Sequence, residues 1–259
     1  MRNRLTIIPI AALVLAACGD KRPHTSDANA AEVSPVSSES ASASAPTPAV
    51  TGPVSFEDAN TAFKERRYAE AARLFATYTT AKPDNVWGYY MLGLSAWKAG
   101  DHDRAVDAFQ RALEQDSTHV KSHLNLTRVL LEQGKPQDAL SSVETALRID
   151  SASSEGFRLL GRVKGELGDS PGAVAAYQHA IVLDGRDVWS MNNLAHLYIG
   201  QGQFQNALGP LARAIENDST VGAFRNNLAL ALARSKQDSS AVDLGGLARD
   251  FVEQTKSWR

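Results

Sequence analysis

The 259 residues include a single cysteine, Cys18, so the chain has no internal disulfide framework and no Cys-rich zinc or iron–sulfur centre. It also lacks an excess of either charge. Lys and Arg number 27 against 29 Asp and Glu, a formal net charge of −2. That leaves no overall basic field to hold a polyanion, and no nucleic-acid partner is expected. No apolar run reaches the ~18–20 residues of a membrane-spanning helix. A P-loop, a dinucleotide fingerprint, a nucleophile elbow and an HExxH helix are all missing, so no enzyme, cofactor, metal or small-molecule substrate is expected. Gly161-Arg162-Val163-Lys164-Gly165 contains glycines but sits in a helical stretch with no preceding strand, and it does not read as a phosphate loop. His119 and His123 have the spacing of one helical face, yet they read as one surface and one packed histidine rather than metal ligands. What the chain does have is alanine, 40 times, which favours helix because Ala loses no side-chain entropy there.

At the N-terminus Arg2 and Arg4 precede an apolar run from Ile7 to Ala17, the pattern of a secretory signal peptide. The closing residues Leu15-Ala16-Ala17-Cys18 resemble the lipobox of bacterial lipoproteins. That resemblance implies cleavage before Cys18, removal of residues 1–17, and acylation of the Cys18 thiol and new amine. Several acyl chains hold a protein on a bilayer far better than one, at ~0.8 kcal/mol per buried CH₂. The expected location is the bacterial envelope, facing the periplasm. Gly19 rather than Asp stands immediately after Cys18, which favours the outer membrane over the inner. Residues 18–52 are rich in Ser, Ala and Pro and too polar to bury a core, so they read as a tether. A flexible coil of that length reaches roughly 30 Å.

Sliding the remainder against itself by 34 residues aligns Ala71, Ala105, Ala139, Ala173, Ala207 and Ala241 without a gap. Gly100, Gly134, Gly168 and Gly202 share another phase, as do Leu92, Leu126, Leu160, Leu194 and Leu228. Asp116, Asp150, Asp184 and Asp218 close four successive units. The pattern resembles the tetratricopeptide repeat, most fully in Tyr89, Leu92-Gly93, Ala96, Ala105, Phe109 and Ala112. The resemblance implies an all-α solenoid of six helix–turn–helix units over 53–255, followed by a tail at 256–259. The units run 52–85, 86–119, 120–153, 154–187, 188–221 and 222–255, the last being a divergent cap with Gly245-Gly246. Each glycine phase suits a left-handed C-cap, and each aspartate phase can cap or start the next helix.

Function then rests on the surface that stacking creates. The family resemblance places the second, fifth, sixth, ninth and often the twelfth residue of each unit on a groove that binds a protein or peptide. In this chain those positions are Trp87, Tyr90, Met91, Leu94 and Trp97, then Lys121, Asn125 and Arg128. Arg158, Arg162, Trp189, Asn192, Asn193, His196, Asn226 and Asn227 continue the face. Its fifth, sixth and ninth phases in units three to six contain no carboxylate, which suits an acidic peptide. Internal neutralisation of the arginines by Glu132, Glu155 and Glu166 is the alternative. The expected role is a membrane-anchored scaffold or assembly factor. A lipobox plus six such repeats also resembles the pilotin lipoproteins of type IV pilus secretins, and an adaptor for an envelope enzyme such as a peptidoglycan hydrolase is a further alternative.

Overall fold

A computed structural model describes residues 53–236 and 242–258; the signal segment, Cys18, the whole tether and Ala241 lie outside the described residues. Twelve helices, and no strand, are found among the described residues. They are α1 (Phe56–Lys64), α2 (Tyr68–Ala81), α3 (Val86–Lys98), α4 (His102–Gln115), α5 (Val120–Glu132) and α6 (Pro136–Ile149). There follow α7 (Ser154–Glu166), α8 (Ser170–Leu183), α9 (Val188–Gly200), α10 (Phe204–Asn217), α11 (Gly222–Ser235) and α12 (Leu244–Lys256). First helices begin at 86, 120, 154, 188 and 222, and second helices at 68, 102, 136, 170 and 204, so both series step by the 34-residue period.

Local chemistry explains the boundaries. Asn85, Ser153 and Asp187 stand one residue before α3, α7 and α9, and their side chains accept the N–H of Gly88, Gly156 and Ser190. The aspartates of the unit boundary do something else. Asp116, Asp150, Asp184 and Asp218 end the second helices, and each carboxylate accepts the N–H two residues on. They fold the turn; the cap of the next helix belongs to the residue three places later. Gly100, Gly134, Gly168 and Gly202 all take positive φ, between 68° and 84°, as the glycine phase predicts. The same phase falls on Arg66 and Lys236 at the two ends of the stack, with φ of 61° and 58°. For an L-residue that conformation costs ~1–2 kcal/mol.

The alanine phase is the close contact within each pair: Ala71, Ala105, Ala139, Ala173 and Ala207 are fully buried. At Gly93 and Gly161 an added Cβ would lie 2.6 Å from the rings of Phe109 and Tyr177, so each ring rests directly on the backbone of the facing helix. Adjacent first helices approach one another, while adjacent second helices among α2 to α10 do not, so the stack curves with the first helices on its inner face.

The sixth unit departs from the expected pair. Helix α11 stacks on α9 and α10 like any first helix, but α12 packs against α10 and α8 and not against α11. The approach to α10 is close at Gly209, where a Cβ would come 3.1 Å from Phe251. Gly245 and Gly246 offer no large apolar side chain to hold α12 on α11. Near the end of the chain, Trp258 stands edge to face with Phe251 at 5.6 Å.

Candidate functional site

The inner layer begins with aromatic rings. Trp87 is 49% exposed and meets both Tyr90 (5.5 Å) and His119 (5.0 Å) edge to face. Lys121, exposed, holds its Nζ 5.4 Å from the centre of the Trp87 ring, within cation–π range. His119 is not a surface histidine. It packs 5.1 Å from Tyr90, and its Nδ1 lies 2.7 Å from the Ser122 hydroxyl. Burial lowers its pKa; the field of Asp116 opposes that shift, and those of Lys121 and His123 add to it. His123 is buried, with Nε2 2.9 Å from the Ser117 carbonyl. Met91 and Leu94 are half-buried against the core. The indole of Trp97 donates to Glu132 at 2.7 Å, and His102 approaches the same carboxylate at 3.3 Å.

Further along, the layer turns basic. Asn125 is buried; its Nδ2 donates to the Tyr90 hydroxyl (3.3 Å) and its Oδ1 accepts from Arg128 (2.9 Å). Arg128 also pairs with Glu155. Arg158 donates to both oxygens of Asp187 at 2.9 Å. The Asp187 side chain is only 2% exposed and accepts as well from the Ser190 N–H, the Ser190 hydroxyl and the Ser154 hydroxyl. Arg162 has no hydrogen bond or ion pair among the described residues. Burial lowers its pKa, against the fields of Tyr177, Glu132 and Glu166, and Arg158 adds to the lowering. Burial, joined by the positive fields of Arg158 and Arg162, pushes Arg128 down to about 10. The three guanidinium groups therefore do share one neighbourhood.

Two of the three are neutralised internally. Glu155 is among the acids that the sequence offers for this task, whereas Asp187 is not: it lies at the helix-cap phase, outside the groove phases. Glu132 goes instead to Trp97 and His102.

Three of the five groove-phase asparagines occupy a different place from the one the groove pattern assigns. Asn125, Asn192 and Asn193 are buried, at 7%, 1% and 6% exposure. Their amides sit between repeats, at a fixed offset of 35 residues from the fifth phase of one unit to the sixth of the next. Tyr90–Asn125 and Asn192–Asn227 are hydrogen-bonded rungs of this ladder. Leu124 and Leu159 form an apolar rung in the same register, both buried. Arg158 and Asn193 occupy another, and there Arg158 Nε and both polar atoms of Asn193 are buried without a partner. Trp189 is half-buried, edge to face with Phe224 at 5.4 Å, while His196 and Asn226 are exposed. Among the described residues no three His, Cys, Asp or Glu side chains gather as a metal site, and no helix is long and apolar enough to cross a membrane.

Comparison with known proteins agrees with this geometry. Family models described as the tetratricopeptide repeat match residues 56–120, 96–163 and 176–209. Among curated proteins, BBSome complex member bbs-4 of Caenorhabditis elegans is 27% identical over 154 residues, which cover 54% of this chain and 33% of that one. The chain thus spans a third of the length of this relative. Among solved structures, TTC0263, a thermophilic TPR protein in Thermus thermophilus, superposes with a TM-score of 0.57 at 21% identity, over 68% of this chain and 96% of that one. YrrB, described as a TPR protein with an unusual peptide-binding site, gives 0.52 at 20% identity, over 70% and 93%.

Proposed function

Because this chain belongs to the tetratricopeptide-repeat family, an architecture that binds protein or peptide partners, we propose that it is a scaffold whose inner face holds an extended acidic segment of a partner protein. The observation that carries this reading is Arg162. It is a half-buried guanidinium beside two others, and it lacks the acid that each neighbour has. An incoming carboxylate supplies the missing bidentate partner and relieves the repulsion among the three cations. Trp87 and Lys121, exposed at the other end of the face, extend it with an aromatic platform and a further cation. Residues Leu15 to Cys18 support a second element of the proposal, a lipid anchor at Cys18 with the scaffold tethered on the periplasmic side of the outer membrane.

The test uses a fluorescent peptide alternating Glu and Gly. Binding should weaken as salt rises, since exposed pairs are screened beyond ~8 Å at physiological ionic strength. Arg162→Glu should reduce affinity at least tenfold with helicity and melting unchanged; equal affinity in the variant would overturn the acidic-peptide reading. Arg158 is unsuited to the experiment because its charge balances a buried carboxylate. The anchor is tested separately by fractionating wild type and Cys18→Ser. A processed variant that stays on the membrane would overturn it.

A further inference from the structure

The folding back of α12 creates a second concavity, outside the inner face. A cavity of about 240 Å³ opens between α9, α10 and α12, with Tyr198, Asn206, Asp250, Phe251 and Trp258 in its lining. That volume is below the ~300–1,000 Å³ typical of sites for drug-sized ligands, so it suits a group the size of one side chain. Three features define its chemistry. Tyr198 from α9 and Phe251 and Trp258 near the end of the chain line it with aromatic rings, whose faces carry a negative quadrupole. No Lys, Arg or His lines the cavity, while the carboxylate of Asp250 does, and it has no ion pair among the described residues. Finally, Pro210 lies inside α10 and has no N–H to offer the carbonyl four residues back. That carbonyl belongs to Asn206, one of the lining residues, and it lacks its helical donor.

Negative charge, an acceptor without its donor and π faces all favour a positively charged donor. We infer that this cavity receives an alkyl cation, an ammonium or guanidinium group on a short aliphatic stem. The head pairs with Asp250 and the stem lies against Phe251 and Trp258. The site is independent of the inner-face arginines, which have the opposite charge preference.

The experiment follows the indole N–H resonance of Trp258 in the full chain, assigned with Trp258→Phe. Titration with n-butylguanidinium should shift it saturably, and the neutral isostere n-butylurea should not. Asp250→Asn, an isosteric change at an exposed helix position, should weaken n-butylguanidinium binding at least fivefold with melting unchanged. Equal shifts with the urea, or equal affinity in Asp250→Asn, would overturn the proposal. Two further probes identify the source of the cation. Tighter binding of N-acetyl-argininamide than of 1,4-diaminobutane assigns the site to a partner protein's side chain, and the reverse order assigns it to a free polyamine. Binding of neither would overturn the proposal.

Discussion

At the Trp87 end of the inner layer, neighbouring repeats meet through aromatic rings and a neutral hydrogen bond from Asn125 to Tyr90; two repeats later α7 meets the cap of α9 through ions, Arg158 and Asp187. The first arrangement tolerates loss, because a ring that loses a neighbour keeps most of its burial. The second does not. A carboxylate that is 2% exposed is stable only with a full set of donors, and Arg158, two serine hydroxyls and one backbone N–H supply them. The basic middle is therefore rigidly built around Asp187 while leaving Arg162 uncommitted.

The sharpest test of this contrast is Asp187→Ala. It strands a buried guanidinium and removes a helix cap, with an expected loss of about 3–5 kcal/mol in urea unfolding. Asn85→Ala, the same cap phase at the aromatic end, should cost only ~1 kcal/mol. Equal losses would erase the distinction between the two regions. Asn125→Ala sits where they join. It removes the bond to Tyr90 and one partner of Arg128, for about 1–2 kcal/mol in the same assay. Glu155→Gln should cost less than ~1 kcal/mol, and only at low salt, because the Glu155 side chain is 43% exposed and screened. The smallest effect belongs to His119. Its folded pKa lies below the ordinary 6.5, so the unfolded chain takes up the proton first. The stability His119 contributes is present above that value and is lost as pH falls below it. The urea midpoint should drop from about pH 7.5 to about pH 5.5 by slightly more in wild type than in His119→Phe, which keeps the ring but cannot titrate.

Most of the fold was legible in the sequence because a 34-residue period in Ala, Gly and Leu marks the helix starts residue by residue. The period also has a blind spot. It describes contacts that recur, whereas the contacts that define the candidate site occur once. Asp187 shares its phase with Asn85, His119, Ser153 and Val221, so nothing in the repeat marks it as an ion partner, although it is the only acid in that series. The asparagines misled in another way. Polar residues at groove phases suggest solvent, yet here they bridge repeats, because the offset between bonded residues is one greater than the period. Helix α12 escaped for a third reason: its close approach is at Gly209, one turn inside a different helix, and no local pattern connects that glycine to Phe251.

The ladder of fifth- and sixth-phase pairs also bears on how the chain avoids tangling with itself. Similar repeats tempt a folding chain to skip one, stacking the second unit on the fourth. Such a slip would set the Tyr90 hydroxyl against Leu159 with no acceptor or donor to meet it, and would part Glu155 from Arg128. At four of the five interfaces, Tyr–Asn, Leu–Leu, Arg–Asn and Asn–Asn rungs follow one another without repetition, so each of these admits its own neighbour and penalises the others. In a molecule assembled from near-copies, these four unlike pairs act as an address system for the order of assembly.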